Sequence, residues 1–218
     1  SVIMGANIGT TITAQILSIT GANFKISAYA ALLSAFGIVL NMFAKKDKIK
    51  KAGNILLGVG LIFIGLEVMS MSVNEIIYDD DDVIRPLFVN ILQGDHFPLL
   101  LIFIGIVLTA IVHSSAAITG ILIALGGAIS FNNAVFIILG SNIGTCVTSL
   151  VSSVGTSTNA KRTAVIHMLF NVLGCLICLV PLLVWNNEIS LFMAKISGSM
   201  QRQIANFHTL FNILTTVV

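Results

Sequence analysis

The feature that most constrains this chain is a long apolar run with a polar break at its centre. The run covers residues 97–129, and His113, Ser114 and Ser115 interrupt it at its middle. A helix that spans a membrane needs about 20 apolar residues, so this run is too long for one span. We therefore predict two short helices that meet at the break, as either a re-entrant hairpin or two spans. Both arrangements return the chain to the side from which it came.

The composition places these helices in a membrane. Of the 218 residues, 56% are hydrophobic and only 9% are charged, and the mean hydropathy is +1.02. A soluble domain carries about 25% charged residues, so this chain lacks the polar residues that a solvated surface needs. The net charge of +2 gives no basis for nucleic-acid binding. We predict a multi-pass protein of the plasma or inner membrane.

The charges along the chain predict its topology. Residues 45–51 include five lysines, and basic loops stay on the cytoplasmic side. The aspartates at 79–82 are consistent with the outside. Residues 84–96 predict a short interfacial helix and turn, and residues 188–203 predict an amphipathic stretch. The predicted spans are 26–44, 52–73, 134–151 and 163–185.

One short element occurs twice in the chain. It reads Gly5-Ala6-Asn7-Ile8-Gly9-Thr10 and then Gly140-Ser141-Asn142-Ile143-Gly144-Thr145. The predicted topology makes the first copy run outward and the second inward, so the repeats are antiparallel, as in transporters with a midplane site. A polar break precedes only the second copy, and we expect its counterpart upstream of Ser1.

The expected fold is all-α: a polytopic transmembrane helical bundle with inverted-topology repeats and broken or re-entrant helices. Four parts are predicted: an incomplete first repeat at 1–78, an extracellular or periplasmic linker at 79–96, a second repeat with the polar-break hairpin at 97–185, and an amphipathic segment with the start of a further helix at 186–218. Small and polar residues in membrane helices can also serve packing alone. Their occurrence in paired, inverted elements favours a binding site.

The ordered set of motifs resembles the sodium-dependent phosphate cotransporter family, which comprises the type II sodium/phosphate symporters and their bacterial relatives. The family's signature is a glutamine followed by serines and alanine, and then a glycine-asparagine-isoleucine-glycine-threonine element. Here the first part reads His113-Ser114-Ser115-Ala116-Ala117, and both copies of the repeated element match the second. Further similar stretches are 65–67, 167–171 and 206–212. His113 replaces the usual glutamine, and Ala116 replaces a third serine.

The resemblance implies where the ions bind. Hydroxyls and the N–H groups at a helix N-terminus suit phosphate, whereas amide, hydroxyl and unwound backbone oxygens suit Na⁺. The residues assigned to phosphate are Ser114, Ser115, Asn142, Thr145, Asn7 and Thr10. Those assigned to sodium are His113, Ser115, Thr119, Asn7, Thr11, Ser141, Thr145 and Thr148. Close backbone approach is expected at Gly5, Gly9, Gly140 and Gly144, and interhelical hydrogen bonding at His167 and Asn171.

The function implied by the resemblance is secondary active transport, namely sodium-coupled uptake of inorganic phosphate by alternating access. Na⁺ is then the coupling ion, with no other metal, no organic cofactor and no catalytic residue. The expected partners are phosphate, sodium, membrane lipid and, as an option, a second copy of the chain. Two alternatives stay open: a regulatory membrane protein, and a proton-coupled transporter of another anion, because a protonated His113 repels Na⁺. A hydrolase is disfavoured because neighbouring helix positions such as His113 and Ser114 do not face each other.

Overall fold

Helices make up nearly all of the chain that the structure describes. The computed structural model describes residues 2–20, 26–78 and 85–217. Its helices are α1 (Val2–Thr20), α2 (Ile26–Phe43), α3 (Asp47–Tyr78), α4 (Arg85–Gln93), α5 (Pro98–Val112), α6 (Ser115–Leu125), α7 (Phe131–Ser153), α8 (Thr158–Val184), α9 (Asn186–Ile196) and α10 (Met200–Val217). A 3₁₀ turn, Gly126–Ala128, joins α6 to α7. The predicted all-α class is confirmed.

Several of these helices can cross a membrane. Within the described segments, three stretches are long and apolar enough: Val2–Ile19, Phe131–Ser153 and Thr158–Val184. The bent pair formed by α5 and α6 adds a fourth if it counts as one span. On α8, large apolar side chains such as Leu169, Leu173 and Val180 are exposed. An exposed apolar face on a long helix fits contact with lipid better than contact with water.

The helices α2 and α3 form an antiparallel pair that packs through small residues. The contacts pair Ser34 with Gly60, Gly37 with Gly53 and Leu57, and Asn41 with Asn54. The prediction of a lysine loop over 45–51 is wrong for its second part, because α3 begins at Asp47. Lysine has a good helix propensity, and Asp47 in the first turn complements the positive helix end. The predicted span 52–73 therefore lies within a longer helix.

The polar break turns the chain sharply. Between α5 and α6 the chain changes direction by 120°. The helices α5 and α7 run parallel, because their positions meet in the same order: Ile102 with Gly140, Thr109 with Gly144, and His113 with Thr148. The helix α6 and the 3₁₀ turn therefore carry the chain back towards the end at which α5 begins. The predicted pair of short helices meeting at a break is confirmed.

The central helix of this half is α7. Residues 133–142 are all buried, because α5, α6, α8 and α10 pack around this helix. Its first turns also hold the end of α4, since Nδ2 of Asn133 donates to the carbonyls of Ile91, Leu92 and Gly94. The last carbonyls of a helix lack partners within it. One buried amide therefore fixes α4 to the N-terminal end of α7.

Two further boundaries differ from the predictions. The stretch 188–203 is not continuous, because residues 197–199 separate α9 from α10. The helix α8 begins at Thr158 rather than 163, so Lys161 and Arg162 belong to its first turns. The acidic run 79–82 lies outside the described residues. The four-part division of the chain and the upstream hairpin stay predictions.

Candidate functional site

The polar break consists of two helix ends that meet. His113 ends α5 with φ 59° and ψ 21°, and its N–H donates to the Thr109 carbonyl at 2.7 Å. This left-handed conformation is uncommon for a residue other than glycine. Ser114 is extended, and its hydroxyl oxygen accepts from the Ala117 N–H at 3.2 Å, which caps α6. The first N–H groups of α6 give the break a positive potential.

The side chain of His113 reaches across to α7. Its Nδ1 lies 3.1 Å from Oγ1 of Thr148. The structure thus brings together two of the residues assigned to sodium from the sequence. Both side chains are exposed, so the pair lies at an open edge of the α5–α7 contact.

A buried asparagine on α8 joins the two copies of the repeated element. Oδ1 of Asn171 accepts a 2.9 Å hydrogen bond from Nδ2 of Asn7 in the first copy. Nδ2 of Asn171 donates to the Asn142 carbonyl at 2.8 Å and to Oγ1 of Thr145 at 3.3 Å, both in the second copy. Asn171 is 0% exposed. We call Asn7, Asn142, Thr145 and Asn171 the Asn171 network, and three of its members are predicted site residues.

Several buried polar atoms near these elements have no protein partner among the described residues. They are Nδ2 of Asn142, Oγ1 of Thr119 on α6 and Oγ1 of Thr109 on α5. Buried polar groups are almost always hydrogen-bonded in folded proteins. The chemistry of these atoms, one amide donor and two hydroxyls, is suited to a small polar ligand or an ion.

A cavity of about 360 Å³ lies one helical turn from the Asn171 network. Residues of three helices line it, among them Ile3, Ser149 and His167. Each is four positions, or about 6 Å along a helix, from a network residue: Ile3 from Asn7, Ser149 from Thr145, and His167 from Asn171. From the cavity to the network, residue numbers rise along α1 and α8 and fall along α7. At the network, α1 and α7 therefore run in opposite directions.

Other predicted residues use their hydroxyl protons within their own helices. The hydroxyls of Thr10, Thr11 and Ser141 donate to the carbonyls of Ala6, Ile8 and Ile138, at 3.0, 2.7 and 2.8 Å. Ser115 is half-buried at the start of α6, and Thr119 is buried one turn later. Among the hydrogen bonds of the described residues, none joins Ser115 or Thr119 to the Asn171 network.

The glycines of the two copies have different surroundings. Both copies lie inside continuous helices, α1 and α7, so neither offers unwound backbone carbonyls. A Cβ at Gly140 would overlap the Ile102 carbonyl, and one at Gly144 would lie 2.7 Å from the Ile106 carbonyl. Close backbone approach is confirmed at these two glycines. It is wrong for Gly5 and Gly9, where a Cβ would meet no described atom within 4 Å.

Two residues of this region go beyond what the sequence indicates. Asn171 makes the predicted interhelical hydrogen bonds, but the sequence did not indicate that it lies between the two copies. The sequence feature that could have pointed to it is an amide side chain in the middle of an apolar span. Gln15 on α1 is the second. Its Nε2 donates to the Ala205 carbonyl, Oδ1 of Asn206 and Oγ1 of Thr209, at 3.2, 3.0 and 2.8 Å, which fixes α1 against α10. No local pattern in the sequence marks this contact.

Apolar helices of spanning length, a helix pair broken at a capped polar turn and a buried amide network define a multi-pass membrane protein with a polar site inside its bundle. The sequence profile of the Na⁺/Pi-cotransporter family matches residues 1–71 and 89–204. The chain therefore belongs to the Na⁺/Pi-cotransporter family. This confirms the resemblance, and it places the chain among transporters rather than enzymes.

Known relatives cover the whole chain. It is 33% identical over 220 residues to "Uncharacterized protein YqeW" of Bacillus subtilis, across 99% of this chain and 66% of that protein. It is 28% identical over 220 residues to "Putative inorganic phosphate export protein YjbB" of Escherichia coli K12, across 100% of this chain and 38% of that protein. A Salmonella typhimurium protein of the same name is 26% identical over 216 residues, across 98% of this chain and 37% of that protein. The chain thus spans just under two thirds of the Bacillus protein and little more than a third of the enteric ones. No solved structure matches it.

Proposed function

We propose that this chain forms the transport unit of a secondary transporter that couples the movement of inorganic phosphate to sodium. The observation that carries the proposal is Asn171, which bonds to Asn7 in one copy of the repeated element and to Asn142 in the other. Alternating access moves one repeat against the other around a central site. A buried side chain bonded to both copies responds to that movement. Membership of the Na⁺/Pi-cotransporter family supports phosphate as substrate and sodium as coupling ion.

In this proposal phosphate binds at the break, against the N-terminal end of α6. The first N–H groups of α6 and the hydroxyls of Ser114 and Ser115 donate to the anion; the oxygen of Ser114 accepts from Ala117, which leaves its proton free. The helices α5, α6 and α7 contain no carboxylate that would repel phosphate. The amide groups of Asn7 and Asn142 complete the proposed phosphate site. Thr10 and Thr145 belong to the predicted phosphate set, but their hydroxyl protons are engaged by the Ala6 and Asn142 carbonyls, so they would donate to the anion only after those bonds open.

Sodium binds, in the same proposal, to hydroxyl and amide oxygens. The hydroxyl protons of Thr11 and Ser141 are engaged by carbonyls of their own helices, so their free lone pairs suit a cation rather than an anion. The Thr119 hydroxyl is buried without a protein partner among the described residues, which makes it a strong candidate ligand. The remaining proposed ligands are His113, Ser115, Asn7, Thr145 and Thr148.

The opposite directions of α1 and α7 at the Asn171 network support an inverted repeat. The proposed topology places the lysines near the start of α3 and the first turns of α8 in the cytoplasm. It places the 79–82 run and the 3₁₀ turn outside. With this orientation α1 runs outward and α7 inward, and the break lies between the two faces.

The direction of net transport has two candidates. Uptake is the direction in which an inward sodium gradient drives a symporter. Export is favoured by the name that the Escherichia coli relative carries. Because the sign of the imposed gradient separates the two, one flux assay can decide between them.

Radiolabelled phosphate flux into and out of proteoliposomes tests the proposal on the full-length protein. Sodium gradients of either sign are compared with potassium, and we expect flux that follows sodium and is lost in Ser115→Ala and Asn7→Ala. Asn41→Ala is the matched control, because Asn41 also pairs with an asparagine, Asn54, but between α2 and α3. Flux that ignores sodium and rises at low pH would indicate proton coupling. No phosphate flux, with insertion verified, would contradict the proposal and favour another anion or a regulatory role.

A further inference from the structure

The orientation of the Asn171 amide determines the tautomer of its neighbour His167. The Asn142 backbone carbonyl can only accept, so the Asn171 atom that faces it is the donor, Nδ2. The same Nδ2 lies 3.2 Å from Nε2 of His167. Nδ2 carries two protons: one goes to the Asn142 carbonyl, and Nε2 of His167 shares the other with Oγ1 of Thr145 at 3.3 Å and Sγ of Cys146 at 3.2 Å. A ring nitrogen that faces this NH₂ group acts as an acceptor, which places the proton of a neutral ring on Nδ1.

The contacts of the other ring nitrogen agree with this tautomer. Nδ1 of His167 lies 3.1 Å from Oγ of Ser149, and the Ser149 hydroxyl donates its own proton to the Cys146 carbonyl at 2.9 Å. Oγ of Ser149 is thus left to accept from Nδ1–H. One tautomer of a neutral ring satisfies both neighbours. The other tautomer places two donors face to face at Asn171, and it would require the Ser149 hydroxyl to turn its proton from the Cys146 carbonyl to Nδ1.

We infer that His167 is a positioning residue for the transport site: its Nδ1-protonated ring holds the Asn171 amide in the orientation that joins the two copies of the repeated element. With the amide reversed, Oδ1 would face the Asn142 carbonyl and this hydrogen bond would be lost. The bond to Asn7 would survive only if the Asn7 amide reversed as well. The inference rests on the proposed function, since it concerns the same network. It adds a ring that supports the amide orientation which the Asn142 carbonyl already requires.

The position of His167 fits this role better than a packing role. The ring is half-buried and borders the cavity, so it does not fill a closed core. Its two nitrogens connect Ser149 on α7, at the cavity, with Asn171 at the contact between the copies. A side chain needed only for its volume has no reason to match donors and acceptors on both sides.

Nuclear magnetic resonance of the full-length protein with ¹⁵N-labelled histidine tests the tautomer without any transport assay. Protonated and unprotonated ring nitrogens have well-separated ¹⁵N shifts, and the spectrum of His167→Gln identifies the signals of this ring. We expect a neutral ring with its proton on Nδ1. A proton on Nε2 would overturn the inference.

Flux kinetics test the consequence for transport. Glutamine at position 167 can present an oxygen to Asn171 and an N–H to Ser149, whereas leucine can present neither. We expect His167→Leu to raise the KM for phosphate about three- to tenfold, the effect of one lost hydrogen bond, and His167→Gln to restore it. His96→Gln is the control, because His96 lies in the segment after α4 and, among the described residues, its ring bonds to the Asn90 carbonyl alone.

The outcomes separate the inference from the proposed function. Equal KM values for the leucine and glutamine variants would overturn the positioning role, whether both match the wild type or both are impaired. Absence of phosphate flux in the wild type would instead contradict the proposed function. The tautomer measured by nuclear magnetic resonance still decides the positioning role in that case.

Discussion

At the residue scale, Asn171 is the side chain on which the contact between the two copies depends. We expect Asn171→Ala to lower the free energy of unfolding by about 1–3 kcal/mol, because it leaves Nδ2 of Asn7 without its partner. The Asn142 carbonyl loses one hydrogen bond but still accepts from Oγ1 of Thr145 at 2.6 Å. Thermal unfolding of the purified protein in detergent measures the change. Asn159→Ala is the control on the same helix; Asn159 is exposed, so its loss should cost less than about 0.5 kcal/mol. Equal melting temperatures for the two variants would show that the network adds no stability.

The residues of the break could be identified from the sequence because their signals are local. A histidine followed by serines inside an apolar run marks a chain that leaves one helix and caps the next, as His113 and Ser114 do. The partners of Asn7 and Gln15 could not be identified in this way. Asn171 and Asn206 are distant in the chain, and the packing angles of α8 and α10 decide that they meet α1.

At the element scale, the same glycine motif packs differently in α1 and α7. Gly144→Ala places a Cβ 2.7 Å from both the Ile106 carbonyl and Cβ of Thr109, so α5 and α7 must separate. We expect a loss of about 1–3 kcal/mol. Gly9→Ala meets no described atom and should leave the stability unchanged or raise it by up to about 1 kcal/mol, because alanine favours a helix. Thermal unfolding of both variants in the same detergent checks this, and a loss of equal size in both would contradict the assigned packing.

The existence of the helices was easier to predict than their ends. Apolar stretches at 26–44 and 163–185 became α2 and α8, because their hydrophobicity leaves few alternatives in a membrane. The lysines at positions 48–51 wrongly indicated a loop. They belong to the first turns of α3, because a charged residue at a helix end can be helical and still reach solvent. The division between α9 and α10 depends on Ser199, whose hydroxyl accepts from the Arg202 N–H, and such a cap is weak evidence in a sequence alone.

At the scale of the whole molecule, the parallel arrangement of α5 and α7 bears on how the chain passes through the membrane. Successive contacts between the two helices follow the same chain direction, and the chain between them bends by 120°. Of the two arrangements that the bent pair allows, a broken span or a hairpin, this geometry favours the hairpin, with the break at its tip. We therefore expect the residues before α5 and after α6 to lie on the same face of the membrane.

Single cysteines in a protein lacking Cys146, Cys175 and Cys178 can test this path in intact cells. We expect a membrane-impermeant maleimide to label Asp95→Cys and Gly127→Cys from the outside, because both positions are exposed and flank the hairpin. Asn159 is exposed at the start of α8, and α7 crosses the membrane once before it. We therefore expect Asn159→Cys to react only in inverted vesicles. Labelling of positions 95 and 127 from opposite sides would make α5 and α6 a single broken span. In that case α1 and α7 would cross the membrane in the same direction. This result would contradict both the hairpin and the inverted-repeat proposal.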